Sequence, residues 1–223
     1  DPMFYVKVTA NRPDALGIYG IARDLAAKGL GTLKPLNAPD VKGTFDSPIS
    51  VKLDFPAADA KACPLFVGRY IRGVKNGPSP AWLQQRLKSI GLRPISTLVD
   101  ITNYITFAYA RPLHVFDAQK VHGNITARLA RDGETLEALD NKTYTLNSNM
   151  TVIADDNGVE GIAGIIGGIP SSCTEATTDV FLEAAYFDPV RTATTGRKLG
   201  INSDARYRFE RGIDPAFTPT GAE

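Results

Sequence analysis

Between Gly123 and Glu183 the chain reads almost wholly as short strands broken by turns, and this stretch constrains the fold more than any other. Residues 125–129, 135–139, 150–154, 159–166 and 180–182 are rich in β-branched and apolar side chains. Asp140-Asn141 and Asn157-Gly158 carry hairpin-turn chemistry, because Asn and Gly tolerate the left-handed backbone that a tight reversal needs. Many short strands with close turns predict a barrel or a strongly curved sheet. Helical patterns flank this stretch on both sides, so the fold class is expected to be α+β, with a β-barrel-like core and packed helices.

Upstream, Phe4 to Val8 alternates as a strand does, and Asn11-Arg12-Pro13-Asp14 supplies a turn before a helix whose apolar face runs from Leu16 to Ala26 and stops at Gly29 or Gly31. Leu33 to Ser47 is rich in Pro, Gly and Asp and reads as a linker. Strands are predicted at 49–53 and 65–71. Ser79-Pro80 has the pattern of an N-cap followed by a first helical proline, opening a helix with Trp82, Leu83, Leu87 and Ile90 as its buried stripe. Leu98, Ile101, Ile105 and Ala108 recur at helical spacing until Pro112, with Asp100 and Asn103 on a neighbouring face. A loop carrying His114 and Asp117 among Leu113, Val115 and Phe116 is expected next. Asp188-Pro189 caps a helix that ends at Gly200, and a further helical pattern runs from Ser203 to Arg211. These boundaries divide the chain into a strand-helix fragment with its linker (1–42), a principal domain (43–214) and the start of a further segment (215–223). Both ends read as cuts from a longer protein.

The totals exclude several classes. The 223 residues are 43% hydrophobic, enough for one large core, and the net charge of +1 with no long basic run gives no bulk attraction for nucleic acid. The two cysteines, Cys63 and Cys173, have no ligand or disulfide spacing, so no metal site is expected and a reducing, cytoplasmic setting fits. No apolar run has membrane length.

The residues leave their chemistry open. His114 is either a core histidine or a group that handles water, ribose or phosphate. The run Gly161 to Gly168 lacks the Lys-Ser/Thr pair of a phosphate loop; it is either a bent strand or a wall where a ligand approaches the backbone. Glu183 follows Val180-Phe181-Leu182, and a carboxylate set among apolar residues requires either an internal salt bridge or a ligand. Arg206, Arg208 and Arg211 either touch RNA phosphates or form an ion-pair network with Glu210 and Asp214.

Five runs resemble one known family: Phe66 to Pro80, Leu98 to Tyr104, Pro112 to Asp117, Gly164 to Gly168 and Arg208 to Pro215. They are similar to the central B3/B4 region of the bacterial phenylalanyl-tRNA synthetase β subunit, and Val8 to Asp14 with the following helix is similar to part of its B1 domain. The matches are collinear along essentially the whole chain. The resemblance implies a B3/B4-type fold and an editing activity that hydrolyses tyrosine mis-attached to phenylalanine tRNA. The physical need is that an apolar pocket rejects an added hydroxyl by only about a hundredfold.

Carried over by position, the resemblance implies that Glu183 accepts the tyrosine hydroxyl, that Gly167 keeps the pocket open, that Ala205 and Ser203 flank the bound ring, and that His114 sits near the scissile ester. Asn103 and Arg93 are rim candidates. Arg111, Ser203 and Arg206 depart from the usual glutamine, threonine and serine. No cofactor is implied for this stretch, while ATP and magnesium serve the full synthetase, which pairs the β subunit with an α subunit in an α2β2 assembly. The alternative within the same family is a non-catalytic module for tRNA docking or subunit packing.

Overall fold

The computed structural model of the chain describes residues 3–36, 38 and 40–223. A tight turn at Pro13–Leu16 leads into α1 (Ile18–Ala27); β1 (Val51–Asp54) and β2 (Leu65–Ile71) follow, then α2 (Ala81–Ser89) and α3 (Thr97–Tyr109). Eight strands come next: β3 (His114–Asp117), β4 (Ile125–Leu129), β5 (Thr135–Glu137), β6 (Thr143–Thr145), β7 (Thr151–Ala154), β8 (Val159–Ile162), β9 (Ile166–Gly167) and β10 (Val180–Tyr186). The last long elements are α4 (Pro189–Leu199) and α5 (Asp204–Phe209).

The class is α+β, as the sequence predicts, but the strands form open sheets that do not close into a ring. One has the order β1-β4-β7-β8-β9, the second β2-β10-β3, and β5-β6 is a separate hairpin. The hairpin is tied to the first sheet through a bridge between Ala138 and Gly168. β1 runs parallel to β4 and the other neighbours are antiparallel. The first two sheets share a core in which Ile125, Ile153, Phe116, Phe181, Phe187 and Phe209 are all nearly inaccessible. Burying each of these side chains stabilises the fold by about 1.5–3 kcal/mol before entropy is counted.

Several expectations change for local physical reasons. Residues 4–8 form no strand: alternation specifies a face but not a partner, and Phe4 and Tyr5 are 85% and 96% exposed. Ser79 does not cap α2. Its hydroxyl donates to Asp100 Oδ2 at 2.5 Å, and Pro80 takes the cap position. His114 and Asp117 lie in strand β3 instead of a loop, because Ala110, in the left-handed conformation, ends α3 and leaves only Arg111 to Leu113 as connection. The predicted strand 159–166 is two strands, broken where Gly164 turns the chain at φ +69°. β5 is shorter than predicted, ending at Glu137, and β10 is longer, running on to Tyr186, so Glu183 sits mid-strand. The last helical pattern yields only Asp204–Phe209.

Asp100 ties α2 to α3. It is inaccessible, accepts from Ser79 and from the Ile95 N–H at 2.9 Å, and so fixes the approach to α3. Asp100→Ala strands both donors, and chemical denaturation is expected to show a loss of about 3 kcal/mol.

Candidate functional site

β10 is the middle strand of its sheet, and its register decides what surrounds Glu183. Glu183 pairs with His114 on β3 and with Gly68 on β2. A cavity of about 400 Å³ opens over this point. Its wall is made by β3, the Gly161 to Gly167 turn and strands, α3 through Asn103, and the start of α5 through Ser203 and Ala205. Six of the seven residues proposed from the sequence therefore meet in one cavity: Asn103, His114, Gly167, Glu183, Ser203 and Ala205. Arg93 does not line it; it is exposed in the connection between α2 and α3.

Glu183 is 7% exposed, and among the described residues no side chain forms a salt bridge or hydrogen bond with its carboxyl group. Burial pushes its pKa up to about 8, with the Arg111 charge pulling the other way. The group is a neutral acid at neutral pH, able to donate one hydrogen bond and accept others. Arg111 was noted in the sequence only as a departure before Pro112. It is in fact almost wholly buried, donates to the Ala185 carbonyl and the Thr218 hydroxyl, and has its own pKa drawn down to about 10 by burial. No sequence signal marked it, since arginine is expected at the surface.

His114 is half-buried, with its ring edge-on to Phe116 at a centroid separation of 4.4 Å. Burial pushes its pKa down to about 4, so the imidazole is neutral and can both donate and accept. Its other face lies against Gly167: a Cβ there would fall 2.9 Å from Nε2 and nearer still to Cε1. Gly167 thus makes room for the histidine ring first, and only through it for a ligand. Ser203 does a structural task as well as lining the cavity. Its hydroxyl donates to the Ile165 carbonyl at 2.6 Å and accepts from the Arg206 N–H, capping α5 and pinning it to the glycine turn.

The arginines after Ser203 point inward. Arg206 donates to the Ile201 carbonyl and to Glu210, while Arg208 lies over the Phe107 ring and donates to Asp204 and the Leu16 carbonyl. Arg211 stacks on Tyr207 and pairs with Glu210. The expected pairing with Glu210 holds for Arg206 and Arg211, but Asp214 takes no part, Arg208 pairs with Asp204 instead, and Arg206 and Arg208 are too buried to meet a phosphate. Among the described residues no group of three His, Cys, Asp or Glu side chains is placed to hold a metal ion, and no helix is long and apolar enough to cross a membrane.

An apolar cavity with one neutral carboxyl, one neutral imidazole and glycine backbone can select a ligand by a hydroxyl and hold a polar end near the histidine. Comparison with known proteins gives this site its setting: the B3/4 domain matches residues 62–223. The chain belongs to that family. The phenylalanine–tRNA ligase beta subunit of Paramagnetospirillum magneticum is 67% identical over 223 residues, covering 100% of this chain and 28% of that protein. The beta subunit of Ruegeria pomeroyi is 60% identical with the same coverage. An N-terminal fragment of the phenylalanyl-tRNA synthetase beta subunit from Pyrococcus horikoshii aligns over 78% of this chain and 52% of its own, with 18% identity and a TM-score of 0.43. The chain thus spans little more than a quarter of the length of these bacterial beta subunits.

The two shifted groups of the B3/4 site act oppositely on stability. Glu183 is raised from 4.5 to about 8, so its contribution is complete below 4.5 and is lost as pH rises towards 8. His114 is lowered from 6.5 to about 4, so its contribution is complete above 6.5 and is lost as pH falls towards 4. Between 4.5 and 6.5 the slopes of these two groups cancel; above 6.5, of the two, only Glu183 acts. Urea denaturation should show wild-type stability falling by up to about 1.4 kcal/mol per pH unit above that point, and Glu183→Gln should remove the fall. Gly167→Ala should displace the His114 ring, seen as a return of its NMR titration towards the ordinary histidine range.

Proposed function

We propose that this chain is the editing portion of a phenylalanine–tRNA ligase β subunit, which hydrolyses tyrosine wrongly attached to phenylalanine tRNA. The observation that carries the reading is Glu183: a buried carboxyl without a protein partner among the described residues, in a cavity walled mainly by apolar side chains, with Asn103, His114, Ser203 and Asp204 as its other polar groups. A tyrosine ring entering there meets a hydrogen-bond partner for its hydroxyl. A phenylalanine ring displaces the water and leaves that carboxyl unsatisfied, at a cost of about 1–3 kcal/mol. The cavity therefore favours the amino acid that the synthetic pocket rejects least well.

In this reading Ala205 leaves space for the ring, Asn103 and Ser203 border it, and Gly167 seats His114 beside the ester. The imidazole is too weak a base to take a full proton at neutral pH, so it orients water or the terminal ribose by hydrogen bonding. The ester is already activated, and a positioned water with nearby backbone donors suffices without a covalent nucleophile. The whole protein acts in the cytoplasm beside an α subunit in an α2β2 assembly, where ATP and magnesium serve the attachment of phenylalanine. Within it, residues 1–42 belong to a B1-like fragment and linker, 43–214 to the editing domain and 215–223 to the next segment.

The docking alternative drew on Arg206 to Arg211, and the inward bonding of Arg206 and Arg208 removes that support. The test is deacylation of tyrosine-charged phenylalanine tRNA by the full synthetase. Glu183→Ala is expected to lower kcat/KM by about a hundredfold, and Gly167→Trp to abolish hydrolysis. Unchanged hydrolysis in both variants refutes the assignment.

A further inference from the structure

The near-zero net charge conceals a strong local imbalance. From Lys61 to Arg111 the chain carries eight Lys and Arg against one acid, Asp100. That acid is inaccessible and consumed by Ser79 and the Ile95 N–H, so it neutralises nothing at the surface. Arg86, Lys88 and Arg93, on α2 and the connection after it, are exposed, and none has a carboxylate partner among the described residues. Arg72, Arg131 and Arg197 are exposed without such a partner as well, so it is the rings beside Arg86, and not the lack of partners, that set this face apart.

Beside these cations is an aromatic platform. Of the stripe predicted to be buried on α2 only Leu83 and Leu87 are; Trp82 is 53% exposed and meets Tyr104 of α3 edge-on, with centroids 5.7 Å apart. The Arg86 guanidinium lies 5.6 Å from the Trp82 ring and 5.8 Å from the Tyr104 ring, and donates to the Tyr104 hydroxyl at 3.0 Å. Arg86 and Tyr104 also form the edge of a groove of about 640 Å³ between α1, α2 and α3, which Lys34 borders as well.

We propose that the α2–α3 face is a docking surface for a single-stranded segment of RNA, with bases on Trp82 and Tyr104 and phosphates on Arg86, Lys88 and Arg93. An exposed π-face flanked by uncompensated cations is the chemistry of a stacked, phosphate-linked strand. An acidic protein surface would satisfy the charges but would leave the tryptophan ring without a stacking partner. The choice of RNA over DNA rests on the charged-tRNA reading above; the surface itself does not. Asn103 faces the editing cavity and Tyr104 this platform, so one helix, α3, carries both.

Trp82 is the one tryptophan in the sequence, which makes its fluorescence a local reporter. Titrating the chain with a short single-stranded RNA is expected to give a saturable quench, with affinity falling about tenfold between roughly 50 and 200 mM salt. The triple variant Arg86→Glu, Lys88→Glu, Arg93→Glu, at exposed positions, should keep the wild-type circular dichroism spectrum, lose the quench and reduce the salt slope by about 2. Glu183→Ala should leave the quench intact, so failure of the editing assignment and failure of this surface are read separately. No quench at low salt, an equal quench in the triple variant, or an equal response to polyglutamate overturns the proposal, the last in favour of a protein partner.

Discussion

A carboxyl group carried into the interior on the middle strand of a sheet, with no ion pair to meet it, is the constraint around which the rest is arranged. Glu183 cannot turn away, because β10 is bonded on both edges and its side-chain alternation is locked by seven register pairs with β2. A one-residue slip would bury its neighbours' backbones differently and send Phe181 out of the core. The core therefore holds the acid in place. Gly68, opposite Glu183, belongs to the same lock: a Cβ there would strike the Phe181 ring, so the absence of a side chain on β2 lets β10 lie flat.

The surrounding elements manage the cost with buried cations that are bonded to carbonyls. Arg111 lies behind the sheet and exerts an attractive field on Glu183 while spending its own donors on Ala185 and Thr218. Arg208 joins α5 to the Leu16 carbonyl near the N-terminal helix. Arg206 crosses α4 where Gly196 has no side chain to obstruct the guanidinium. Arg111 is bonded only to dipoles, while Arg206 and Arg208 also pair with Glu210 and Asp204; buried charges of either kind contribute little net stability, yet removing their partners is costly, so these arginines fix geometry more than they add to the total.

What could be read from the sequence follows physical range. The turns at Asp140 and Asn157 and the Asp188 cap, which accepts from the Arg191 N–H at 2.7 Å, act within a few residues and were legible. The helix α3 is legible because its period is internal, but its buried face is only partly the predicted stripe: Ile101 is 45% exposed, while Asp100, Thr106 and Ala108 are buried. Alternation at Phe4 to Val8 predicts a strand that does not form, because pairing is a long-range fact that alternation does not contain. Ser79 was misjudged because its better partner, Asp100, is 21 residues away. At the site, Glu183 stood out as an acid among apolar residues. Its relation to His114 and Arg111 depends on strand register and sheet order, and neither is local. Arg93 was named by resemblance alone, with no periodicity to place it, and it lies elsewhere.

The pairing of Glu183 with His114 bears on why the cavity stays available. Facing side chains on adjacent strands are near enough to interact, and a carboxylic acid opposite an imidazole could pass its proton across and close into an ion pair. Such a pair would satisfy both groups and leave nothing for a ligand. Burial acts on the two in opposite senses, raising the acid's pKa and lowering the imidazole's, and so opposes the transfer. Low dielectric keeps both groups neutral and unspent. The apolar lining contributed by Phe116, Ile153, Ile162 and Phe209 is thus as necessary to recognition as the two polar groups it surrounds.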